Sequence, residues 1–117
     1  MKAELDEMIR LSRLLDQGIT ALRDQARELA EAERDYRSAK AHAWVEVIAA
    51  ISDGTVAQRE AWTQDVTKDA RYRRDLAEGM RVAALEAVRS RRTQLSAWQS
   101  WLAAERAEAE FARTGVT

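Results

Sequence analysis

Apolar positions in the first half of the chain recur with a seven-residue period. Met8, Leu15, Leu22, Leu29, Tyr36, Ala43 and Ala50 share one register. A second rung, Leu5, Ser12, Ile19, Ala26, Glu33, Lys40 and Val47, alternates with the first at spacings of three and four. That alternation is the seam pattern of a coiled coil. In the second half Trp62, Val66, Ala70, Leu76, Met80, Ala84, Ala87, Leu95, Trp98 and Leu102 fall on one helical face. Between the halves, Ser52-Asp53-Gly54-Thr55 is the one turn signal in a chain without proline. Asp53-Gly54 supplies a residue comfortable at positive φ, and Thr55 with Gln58 reads as a capping box. The pattern predicts a helix over about 3–51, a turn at 52–55 and a helix over about 56–113, with Gly115 as the stop. Gly18 interrupts the first helix, but an internal glycine costs only ~1 kcal/mol and the ladder keeps phase through it, so continuity is expected.

The expected fold is therefore all-α: a single domain, 1–117, built as an antiparallel two-helix hairpin of coiled-coil type. Loop symmetry places facing residues where their numbers sum to about 107. Trp44 is then expected against Trp62, Tyr36 near Tyr72, Leu29 near Leu76 and Met80, and Met8 near Trp98 and Trp101. The charged seam positions find opposite charges, Glu33 meeting Arg73 and Lys40 facing Asp69 or Asp65. Pairing would offset their burial cost and set the register. The end far from the turn carries more apolar surface than one partner helix covers. Ile9, Leu11, Leu14, Trp98 and Trp101 are the candidate interface for self-association into a four-helix arrangement, or for a protein partner.

Composition sharpens this picture. The chain is 117 residues with 33% charged side chains, which suits long helices better than a thick globular core. The formal net charge of −1 conceals a split. Residues 1–55 hold 8 basic and 11 acidic side chains, residues 56–117 hold 11 and 9. No cysteine is present, which removes disulfides, thiolate catalysis and zinc-thiolate sites. The first sixteen residues are studded with charge, unlike a signal peptide, and no apolar run approaches the ~20 residues of a membrane span. A soluble, intracellular protein without membrane contact is expected.

Candidate chemistry is sparse. His42 with Glu46 offers two of the three or four ligands a metal needs. Asp65 and Asp69 stand four apart beside Lys40 and Lys68, a surface pattern rather than an acid/base pair. No nucleophile has a base in a recognisable setting. No catalytic residue, metal ligand or cofactor is assigned, and an enzyme is not expected. The arginines are the one suggestive feature. Arg71, Arg74, Arg81, Arg89 and Arg92 fall within an arc of about 80° at ~100° per residue. On an exposed face that stripe would span several backbone phosphates, which makes nucleic acid a candidate partner.

Four segments carry a resemblance: Leu11-Ser12-Arg13-Leu14-Leu15-Asp16, Tyr36-Arg37-Ser38-Ala39-Lys40-Ala41-His42-Ala43, Gly54-Thr55-Val56-Ala57-Gln58-Arg59 and Arg89-Ser90-Arg91-Arg92. With these the chain resembles small helical proteins encoded by tailed phages and prophages, particularly those of actinobacteria. The resemblance implies an accessory role beside DNA replication or recombination, and it assigns no residue a role. The expected function is thus a non-enzymatic phage interaction protein, binding a partner protein or a nucleic acid backbone. The alternative is an assembly factor (scaffold, chaperone or host-protein inhibitor) acting through its apolar helix ends.

Overall fold

The computed structural model describes residues 1–115. They form three helices, α1 Lys2–Ala50, α2 Val56–Val66 and α3 Lys68–Thr114, and among the described residues no strand occurs. α1 runs unbroken through Gly18 for 49 residues, as the continuous ladder predicts. The capping box also forms: the Gln58 amide donates to the Thr55 hydroxyl, and the Thr55 amide donates to the Gln58 side chain at 2.9 Å. α1 has no basic residue in its own last turn. Arg59 of α2 places one just past that end, donating to the Ile51 and Ser52 carbonyls at 3.3 and 2.9 Å.

Two details of the ends follow different physics from that expected. Gly54 is not at positive φ; among the described residues that conformation belongs to Gly115, at φ 66° just past α3. Gly54 is needed for space, since a Cβ there would collide with the Ile51 side chain. The second helical stretch divides at Thr67 instead of running whole from 56 to 113. Thr67 has φ −102° and ψ 4°, outside the helical well. Its hydroxyl donates to the Thr63 carbonyl at 2.8 Å, and the Thr63 hydroxyl donates to the Arg59 carbonyl at 2.9 Å. Such bonding to the preceding turn bends helices. Arg71 then donates to the Gln64 carbonyl at 3.3 Å across the junction.

Burial corrects the expected seam. In α1 the first rung holds from Met8 to Ala43; the second lies one residue earlier, at Glu4, Leu11, Gly18, Gln25, Ala32 and Ala39, although Val47 is buried as expected and Ile19 and Glu33 are half-buried. Leu5, Ser12, Ala26 and Lys40 are exposed. On the opposite side the ladder is Thr63, Thr67, Ala70, Arg74, Ala77, Arg81, Ala84, Val88, Arg91, Leu95, Trp98 and Leu102, spaced alternately by four and three. Val66, Leu76, Met80 and Ala87, expected inside, are exposed. Phase is the reason. Thr63, Thr67 and Ala70 set it at one end, Val88, Leu95, Trp98 and Leu102 at the other. An unbroken alternation between them lands on Arg74, Ala77 and Arg81.

The chain packs as two compact units. One is Arg23–Ala83; the other is Met1–Leu22 with the segment from Ala84 onward. In the second unit, Leu11, Val88 and Leu102 are buried, and a Cβ on Gly18 would lie 3.3 Å from Val88 Cγ2. At Gly79, in contrast, an added Cβ would meet nothing within 4 Å. Gly79→Ala should therefore raise unfolding stability by roughly 0.5–1 kcal/mol in urea titration, and Gly18→Ala by less, because the Val88 contact opposes the gain in helix propensity. Thr55→Ala should cost about 1 kcal/mol in the same measurement through loss of the cap.

Candidate functional site

Within the Arg23–Ala83 unit, the corrected phase leaves a groove between α1 and α3. Asp24, Glu28, Glu31 and Asp35 stand along its α1 wall at spacings of four, three and four, a single row on one helical face. Gln25, Ala32, Ala70 and Ala77 form the floor, with Leu76, Met80 and Arg73 on the α3 wall. The groove encloses about 510 Å³. Leu76 and Met80, one turn apart, are 50% and 48% exposed. Among the described residues, no cation comes within 4.0 Å of Asp24, Glu28 or Glu31; Asp35 has its sequence neighbour Arg34 at 3.8 Å. Other acids are satisfied locally, Glu7 by Arg10, Glu78 by Arg81, Glu86 by Arg89 and Glu110 by Arg113. The row on this rim concentrates carboxylates beside apolar surface, with Arg27 and Arg34 within four residues of them on α1 but outside ion-pair distance of Asp24, Glu28 and Glu31. Its spacing is readable in the sequence, but with Leu76 and Met80 assigned to the seam there is no groove for it to border.

The arginine stripe does not survive as one exposed surface. Arg74 and Arg81 sit on the seam ladder, their side chains 32% and 33% exposed. Arg74 lies over the Tyr36 ring, 4.3 Å from its centroid, and donates to Asp75. Arg81 donates to Glu78 at 3.0 Å, and the charge of Glu33 also acts on it. Arg71 is half-buried and tied to the Gln64 carbonyl. Arg89 and Arg92 remain exposed, beside Thr93, Ser96 and Ser100. The expected pairings shift accordingly. Glu33 has Arg37 at 3.8 Å and the field of Arg81, not Arg73, which stands on the opposite, groove side. Asp65 pairs with Lys68 at 3.4 Å, and Lys40 lines a separate cleft with Tyr36, Trp44, Thr63 and Thr67.

At the apolar end Leu11 is 2% exposed and belongs to the core, so it is not available as an interface residue. Leu14 and Trp98 are half-buried, while Ile9 and Trp101 are exposed. Trp98 and Trp101 meet edge to face at 5.7 Å, with Glu4 and Ala97 beside them. Tryptophan contact therefore occurs here; Trp44 lies by Glu60 and Thr63 instead of on Trp62. His42 is exposed, and its Nδ1 lies 2.9 Å from the Ser38 carbonyl, a bond in which the ring must donate. Among the described residues no group of three or more His, Cys, Asp or Glu could hold a metal ion, and no helix is long and apolar enough to cross a membrane.

No protein-family model, curated protein or solved structure matches the chain.

Hydrogen bonding by Arg81 holds the Glu78 carboxyl below its ordinary value of 4.5; partial desolvation opposes the effect and the Arg81 charge adds to it. A carboxyl lowered on folding stabilises above its unfolded pKa, and that contribution disappears as pH falls through the folded value. The difference in urea midpoint between wild type and Glu78→Gln should thus be present at neutral pH and shrink on acidification below 4.5.

Proposed function

We propose that the chain is a non-enzymatic interaction protein, a helical hairpin of antiparallel coiled-coil type that works by docking another protein. The observation that carries this reading is the Asp24–Asp35 groove, where three acids without partners border two half-exposed apolar side chains. Half-exposed Leu76 and Met80 one turn apart are what a docking helix covers. The coiled-coil assignment is supported by matching three/four ladders on α1 and on α2–α3. Resemblance to small phage proteins would make this an accessory role in the cytoplasm of a bacterial host.

Nucleic acid binding is the weaker reading. Its stripe loses Arg74 and Arg81 to the seam, and the remaining Arg71, Arg89 and Arg92 stand against a net negative chain. Self-association through Ile9, Leu14 and Trp101 is compatible with the docking role and supplies the assembly reading. Fluorescence anisotropy with single- and double-stranded DNA at low salt separates these. The expected result is no binding beyond a weak background; tight binding whose log K falls with log salt would overturn the protein-docking reading. Light scattering at micromolar concentration should show a dimer or larger, reduced toward monomer by Ile9→Glu with Trp101→Glu. A wild-type monomer would remove self-association and leave the groove as the interaction surface.

A further inference from the structure

Resting on the protein-docking reading above, we infer that the groove lined by Asp24, Glu28, Glu31, Asp35, Leu76 and Met80 takes a basic amphipathic α-helix from a partner protein. Charge identifies the occupant's chemistry. The groove lining presents four carboxylates and the single Arg73, and among the described residues no cation stands within 4.0 Å of Asp24, Glu28 or Glu31. Spacing identifies its shape. The acids repeat at four, three and four residues, and so run in one row for roughly 16 Å at 1.5 Å per residue, about three turns. A helix with Lys or Arg at i, i+4, i+7 and i+11 matches that row. The floor is alanine, Ala32, Ala70 and Ala77, which lets a third helix approach closely. Leu76 and Met80 form the apolar wall, and methionine adapts to varied side chains pressed on it.

A second copy fits this groove poorly. Groove against groove would bring two acidic rows together with only one arginine each, a like-charge contact that suppresses pairing. The groove's occupant is accordingly foreign, and the apolar Ile9–Trp101 end is left for self-association.

The test is anisotropy titration of the full-length chain against labelled synthetic peptides. One peptide carries lysine at i, i+4, i+7 and i+11 beside a leucine stripe; a second has the same composition scrambled; a third has glutamate for every lysine. The first should bind and the other two should not. Glu28→Lys with Glu31→Lys should weaken the lysine peptide by about tenfold or more and gain affinity for the glutamate peptide, as a charge swap across one interface requires. Leu76→Ser with Met80→Ser should weaken binding comparably with helix content unchanged by circular dichroism; both side chains are half exposed, so the fold tolerates the change. Equal binding of the scrambled peptide, or loss of binding without gain for the glutamate peptide, would overturn the assignment. So would a drop in oligomer size on Glu28→Lys with Glu31→Lys, because the occupant would then be a second copy. If no peptide binds while DNA binding is also absent, only the groove's assignment falls; salt-dependent DNA binding would bring down the docking reading itself.

Discussion

A seam filled by small residues and arginine stems is the constraint on which the remainder of this structure depends. Gly18, Ala32, Ala39 and Ala43 on α1, with Ala70, Ala77 and Ala84 on α3, occupy ladder positions that leucine or isoleucine holds in a thicker core. Small side chains allow close approach but bury little area. Arg74 and Arg81 complete the ladder by laying their stems inward and keeping the guanidinium groups partly in water. Each has company that limits the cost of that position: Tyr36 and Asp75 for Arg74, Glu78 and the charge of Glu33 for Arg81. Glu33 and Arg37 are therefore not an isolated surface pair but the edge of a charged cluster around the seam.

The same constraint creates the surface from which function is argued. If the bulky apolar residues of α3 were inside, Leu76 and Met80 would be covered and the acids of α1 would border nothing but solvent. Because alanine and arginine take the interior phase, those two side chains are displaced onto the flank that α1 lines with Asp24, Glu28, Glu31 and Asp35. A half-exposed apolar wall and a row of surface acids are each common on protein surfaces. Their coincidence in one groove with an alanine floor is what points to a cationic helix. The partly buried arginines are the complementary consequence: the phase that opens the groove also turns Arg74 and Arg81 of the stripe toward the seam.

Much of the secondary structure is legible in the sequence. The first ladder rung, the Thr55 capping box, continuity through Gly18 and the stop at Gly115 all follow from local rules that need no knowledge of packing. What resists reading is phase. Size ranks Leu76 and Met80 above Ala77 as core residues, so choosing the largest side chains slips the second helix by one position. The slip shows in the spacing itself: 70 to 76 and 87 to 95 are intervals of six and eight, whereas the buried ladder never departs from threes and fours. Once slipped, Arg74 and Arg81 fall outward and Glu33 faces the wrong arginine. The candidate groove stays hidden for that reason alone. Leu11 illustrates the same error on α1, where it reads as interface only because Ser12 is given its place.

The break at Thr67 belongs to the same logic. Near the turn both sides of the seam abandon alternation: Ala43, Val47 and Ile51 are spaced by four, and so are Arg59, Thr63 and Thr67. An insertion of this kind locally unwinds a heptad pairing, because residues four apart drift the other way around the helix from residues three apart. Both helices must take it at the same level, and one of them must change direction to return to the three/four rhythm at Ala70. Threonine suits that task. Thr63 and Thr67 are 4% and 2% exposed, so apolar packing alone would leave their hydroxyls stranded. Each instead donates to the carbonyl four residues back, which satisfies the buried group and bends the backbone. Arg71 then reaches back to the Gln64 carbonyl, giving an acceptor at the interruption a donor from the next helix. Two polar residues in the seam are thus no defect of patterning: they sit where the ladder changes its spacing, and their hydroxyls make that change without an unsatisfied group.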